Sequence, residues 1–101
     1  MADRYPTGDL AALSLVEALR LLGDPVRFEI VRQLADGEMH AKTASEWNLG
    51  LQKSALSHHF RALRLAGFTE VVERGREHGM RLRIAEIDAR FPGLIALLAR
   101  T

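Results

Sequence analysis

Between Thr43 and Gly67 the chain reads TASEWNLGLQKSALSHHFRALRLAG, two helical stretches parted by a break at Asn48–Gly50. The first, Thr43 to Trp47, is short. The second, Lys53 to Ala66, carries apolar residues at helical spacing and ends at Gly67, a residue suited to the left-handed conformation that closes helices. A short helix and a longer one joined by a tight glycine-containing turn predict a helix-turn-helix arrangement. The rest of the chain has to pack around that unit.

The flanking segments supply the packing. Leu10 to Leu22, LAALSLVEALRLL, is apolar nearly all round, with Leu15, Leu19 and Leu22 on one stripe and Leu13 and Val16 on its neighbour. A helix with two apolar faces needs two partners, and in a small domain the second is expected to be another copy of the chain. In DPVRFEIVRQLADG, Asp24 is placed to cap a second helix with Pro25 at its first position, Val26, Ile30 and Leu34 line its core face, and Gly37 ends it. Beyond Gly67, Val71 and Glu73 on one arm, and Met80, Leu82 and Ile84 interleaved with Arg81 and Arg83 on the other, alternate as in a β-hairpin around Gly75–Gly79. Ile87, Phe91, Leu94, Ile95 and Leu98 form the stripe of a last helix, with Pro92 in its first turn. The expectation is a mainly α single domain over residues 1–101, with residues 1–9 flexible and a two-stranded hairpin among about five helices.

With 101 residues the chain has room for a modest core and little catalytic apparatus. It has no cysteine, which removes disulfides, thiolate metal sites and cysteine redox switches. No apolar run approaches the ~20 residues of a membrane span, and MADRYPTGDL lacks the apolar core of a secretory signal, so a cytoplasmic location is expected. The net charge is only +1, but it is unevenly spread. From Gln52 to Arg83 seven bases face three acids, a local charge of +4, while the remaining seven bases and ten acids leave −3. A basic segment on an acidic body suits a protein that meets a polyanion with one face.

Two of the four histidines stand side by side, His58 and His59. At about 100° per helical residue they diverge, so they cannot share a metal ion as an i, i+4 pair could. Ser57 beside His58 has no matched acid, and there is no glycine-rich phosphate loop or HExxH, so no enzyme is expected. Leu56, Phe60 and Leu63 define the buried side of this helix; Ser54, Ser57, His58 and Arg61 fall opposite, and His59 lies beside the core stripe as a structural histidine. The outward ridge offers short polar groups and a guanidinium that fit a DNA major groove, where arginine can fork onto guanine.

ALRLLGDPVRFEIVRQLADGE, LGLQKSALSHHFRALRLAGF and the arginine-rich hairpin together resemble the ArsR/SmtB family of winged helix-turn-helix repressors. The likeness covers nearly the whole chain from about Leu13, and Leu56 to Gly67, LSHHFRALRLAG, is its most specific block. The resemblance implies a homodimer joined through the first and last helices, which represses by binding a pseudo-palindromic operator. The Lys53–Ala66 helix becomes the recognition helix, and the Arg74–Arg81 hairpin a wing over backbone or minor groove. Half-sites about one helical turn apart, or a multiple of that, follow from two-fold symmetry.

The chain departs from the family's metal sensors. Where those carry a cysteine motif it has His40, Ala41, Lys42 and Thr43, and Asp88 in the last helix has Arg90 after it and no histidine. Metal sensing is therefore not carried over, and no cofactor is expected. His40 is read as a surface histidine, with a proton-sensitive group near neutral pH as the alternative, and His78 as a group that touches phosphate when protonated. The leading expectation is a dimeric repressor using Ser54, Ser57, His58 and Arg61 to read sequence, with Lys53, Arg64, Arg74, Arg76 and Arg81 neutralising phosphate. Leu10, Leu13, Val16, Leu94 and Leu98 are expected at the dimer interface. The alternatives are a winged-helix dimerisation or protein-interaction module without DNA contact, and a metal- or ligand-gated switch built from histidines.

Overall fold

A computed structural model describes residues 5–42 and 47–101. A 3-10 turn, Leu10–Ala12, leads into helices α1 (Leu15–Leu22) and α2 (Pro25–Leu34). Strand β1 (His40–Ala41), helix α3 (Lys53–Leu65), strands β2 (Thr69–Arg74) and β3 (Glu77–Leu82), and helices α4 (Ile84–Arg90) and α5 (Leu94–Ala99) follow. These helices and the small antiparallel sheet form the expected winged helix-turn-helix fold. None of the described helices is long and apolar enough to cross a membrane.

The first helix starts later than its apolar run suggests. Asp9 caps the 3-10 turn by accepting from the Ala11 N–H at 3.0 Å. Ser14 then begins α1 with a capping box: its hydroxyl accepts from the Glu17 N–H at 3.1 Å and the Glu17 carboxylate accepts from the Ser14 N–H at 3.0 Å. These local polar bonds break a pattern that hydrophobicity alone would continue from Leu10. In α2 the Asp24 side chain accepts from the N–H groups of Val26 and Arg27, and Pro25 stands at the helix start as expected. That helix ends at Leu34, earlier than expected, and Gly37 closes the turn after it by donating to the Leu34 carbonyl.

The sheet has three strands in the order β1-β3-β2, all antiparallel, where the sequence suggested two. His40 pairs with Met80 and Ala41 with Gly79. A two-residue strand is too short to show alternation, so it leaves no sequence pattern. Gly79 lies within β3, and the hairpin turn falls at Gly75 and Arg76, between the paired Arg74 and Glu77. A side chain at 79 would stand 2.6 Å from the His40 carbonyl oxygen, so glycine here permits the approach of β1. Strand β3 ends at Leu82; Ile84, expected on the strand, opens α4.

The single terminal helix expected across Ile87 to Leu98 is two. Pro92 forces Phe91 out of the helical region, at φ −132° and ψ 77°, and α5 starts after it at Leu94. The stripe nevertheless stays inside: Ile87, Phe91, Ile95 and Leu98 are buried and Leu94 packs against the core. Ile30, Val31 and Leu34 of α2 sit at the centre of that core, with Leu56, Phe60 and Leu63 of α3 and Phe68, Met80 and Leu82 of the sheet around them.

Candidate nucleic-acid interface

The expected short helix at Thr43–Trp47 lies outside the described residues except for Trp47, which is helical. Trp47 is buried, its indole N–H donates to the Ala41 carbonyl at 3.0 Å, and its ring lies 5.3 Å from that of Phe60. It therefore joins β1 to α3 across the turn. Asn48 and Gly50 both take left-handed backbone angles there, at φ 53° and 68°.

Leu56, Phe60 and Leu63 pin α3 against the core, and that orientation decides what the opposite face presents. Lys53, Ser54, Ser57, His58 and Arg61 are all exposed. Gln52 forms no side-chain cap, so Lys53 and Ser54 stand beside the helix's first amide groups, which complement negative charge. His59 is half-buried, with Nδ1 3.4 Å from the Arg27 guanidinium, which donates in turn to the Leu21 carbonyl. It links α3 to the end of α1, the structural role read from its position.

At its C-terminus α3 closes with the Gly67 N–H donating to the Arg64 carbonyl and the Phe68 N–H to the Leu63 carbonyl. Gly67 has φ +90°, and a side chain on it would meet the Gly8 carbonyl oxygen and the Leu10 nitrogen, each at 2.9 Å. The N-terminal segment crosses here, with the Gly8 N–H donating to the Arg64 carbonyl at 2.9 Å. Arg64 itself donates to the Pro6 carbonyl at 2.8 Å, and its guanidinium lies 5.7 Å from the Tyr5 ring centre.

The nine basic and polar residues expected at DNA thus occupy different settings. Arg74 and Arg76 are exposed at the hairpin tip. Among the described residues neither these nor Arg61 has a carboxylate partner. Arg81 is bound to Glu70 across the hairpin at 2.8 Å, and Arg64 is tied to Pro6. His78, also on the hairpin, is 3.7 Å from Glu73. His40 lies between Asp36, 2.8 Å away, and the Trp47 ring. Among the described residues, no group of three His, Cys, Asp or Glu is arranged to hold a metal ion.

Lys42 was not foreseen. Its ammonium sits 4.4 Å from the Tyr5 ring centre, and burial, together with the nearby Arg64 charge, lowers its pKa. A lone lysine outside any periodic pattern gives no sequence signal of such a position.

A second surface lies over the terminal helices. Leu10 and Leu98, expected at a dimer interface, are buried in the chain's own core, Leu13 and Leu94 are partly buried, and Val16 is exposed. Leu15, Val16, Leu19 and Leu97 are each more than half exposed. Hollows of about 750 and 440 Å³ lie along this face.

Residues 22–72 match the family described as Helix-turn-helix domain. An ArsR-like transcriptional regulator from Rhodococcus sp. RHA1 shares the architecture at a TM-score of 0.65 and 27% sequence identity, over 85% of this chain and 80% of that one. No curated protein gives a significant match.

Proposed function

We propose that this chain, which belongs to the helix-turn-helix domain family and has the ArsR-type winged fold, is a DNA-binding transcriptional regulator acting as a dimeric repressor. The observation that carries the reading is the exposed face of α3 and the hairpin tip, where Arg61, Arg74 and Arg76 stand without carboxylate partners among the described residues. A protein-interaction module would have no need to keep three uncompensated guanidinium groups on these two elements.

In this reading α3 enters the major groove, and Ser54, Ser57, His58 and Arg61 meet base edges. Lys53, Arg74 and Arg76 neutralise phosphates. Arg64 adds positive potential from a fixed position, since its partner is a neutral carbonyl, whereas the charge of Arg81 is largely balanced by Glu70, and each contributes less than a free arginine at the tip. Leu15, Val16, Leu19 and Leu97 meet the same residues of a second copy, so that two recognition helices face one side of the duplex. The protein works where its operator is, in the cytoplasm.

Selection of bound duplexes from a random pool at physiological salt tests binding, symmetry and spacing together. The expected result is an enriched pseudo-palindrome with half-sites about one helical turn apart, or a multiple of it. Recovery of unenriched sequence would overturn sequence-specific regulation, and enrichment of a single unrepeated half-site would overturn the dimer.

A further inference from the structure

Where α3 meets the sheet, a cleft of about 230 Å³ opens with an apolar floor and a cationic mouth. Phe60 and Met80, both buried, and the half-buried Val71 form the floor. Lys42, Arg61 and Arg64 line the same cleft with Tyr5, whose ring centre lies 4.4 Å from the Lys42 ammonium and 5.7 Å from the Arg64 guanidinium, and among the described residues none of the three cations is paired with a carboxylate. We propose that this cleft binds a small anion with a flat apolar body, of the aromatic monocarboxylate class. The ring lies over Phe60, Val71 and Met80, and the carboxylate meets the three cations.

Size and chemistry both restrict the occupant. The cleft falls below the ~300–1,000 Å³ of sites for drug-sized ligands, so it accommodates a single ring with a short acid group. A DNA phosphate would use the mouth but has nothing to place on the floor. A neutral ring would use the floor but leave the cations lining the mouth without an anion. Burial, and after it the Arg64 charge, lowers the Lys42 pKa, and a bound carboxylate favours its charged form. Arginine's planar fork matches a carboxylate in two bonds.

Ser57 and Arg61 line this cleft and also lie on the ridge assigned to base reading. On that reading, and resting on it, the bound anion draws Arg61 toward the cleft and lowers affinity for DNA. The cleft would then join ligand and operator through one shared side chain.

The chain's single tryptophan supplies a readout, because the Trp47 ring lies 5.3 Å from that of Phe60, which forms part of the cleft floor. Benzoate, benzyl alcohol, acetate and inorganic phosphate are titrated into the full chain without DNA, followed by Trp47 fluorescence and calorimetry. Saturable benzoate binding is expected, with the other three at least about tenfold weaker. Lys42→Met should weaken benzoate about tenfold while Lys42→Arg retains it. Absence of saturation, equal affinity for phosphate and benzoate, or an unchanged Lys42→Met would overturn the site. A parallel titration of the DNA complex tests the coupling: loss of DNA affinity with benzoate supports it, and benzoate binding with DNA affinity unchanged overturns it. Because the first titration contains no DNA, its failure is distinct from failure of the regulator reading.

Discussion

Asp24 and Gly67 each fix one end of a helix and do so by different physics. Asp24 is half-buried; desolvation pushes its carboxyl pKa up, but the backbone N–H groups of Arg27 and Val26 outweigh this, and the net shift is down from 3.8. A carboxyl with a lowered folded pKa stabilises the fold above its unfolded value and loses that contribution as pH falls through the folded value. Asp24→Ala should cost about 1 kcal/mol at neutral pH by urea denaturation. Asp24→Asn, which keeps an acceptor but does not titrate there, should show a shallower loss of stability than the parent chain as pH falls through and below the ordinary carboxylate range. Equal acid sensitivity in both chains would show that the cap carries none of it. Gly67→Ala combines a left-handed backbone with a 2.9 Å clash against two backbone atoms, so a loss above ~1 kcal/mol is expected. A thermal midpoint unchanged from the parent would mean that the crossing chains can separate at little cost.

At the scale of elements, α3 and the hairpin should fail in distinguishable ways. His58→Ala should cost about 1–3 kcal/mol on the selected operator and little on random duplex, since a base contact carries sequence information. Arg76→Ala should weaken both alike and reduce the slope of log affinity against log salt by about one. Fluorescence anisotropy on both duplexes across a salt series separates the two, and identical profiles would remove the division of labour. The elements were unequally legible in the sequence. Strong periodicity and an explicit cap exposed α2 and α3, and the outward face of α3 followed from Leu56, Phe60 and Leu63. The start of α1 was hidden because the Ser14–Glu17 capping box is a pair of polar bonds inside an apolar run. Strand β1 was hidden because two residues make no pattern, and the break at Phe91 because Pro92 reads equally well as a helix's first residue. Lys42 was missed because the fold, not spacing, brings it toward Arg64 and Arg61.

For the whole molecule, the exposed leucines over α1 and α5 carry the proposed dimer. Leu19→Glu and Leu97→Glu place charge at positions 55% and 61% exposed, where the protomer itself loses little packing. Each should convert a dimer to a folded monomer in sedimentation experiments and lower operator affinity by orders of magnitude, because two half-sites then bind independently. A parent chain that sediments as a monomer at operator-binding concentrations would overturn the arrangement. The sequence showed that two faces needed cover, yet it named Leu10 and Leu98, which the fold keeps for itself, because a wheel cannot tell which of two apolar stripes turns inward. The middle strand of the sheet carries one further consequence. Among the described residues β1 pairs with Gly79 and Met80, while Glu77 and His78, both exposed, pair with β2. Amide protons along β3 should therefore exchange with deuterium in a gradient, slow at Met80 and fast toward Glu77. Such a gradient would mean that the arginine-bearing tip opens independently of the base of the sheet.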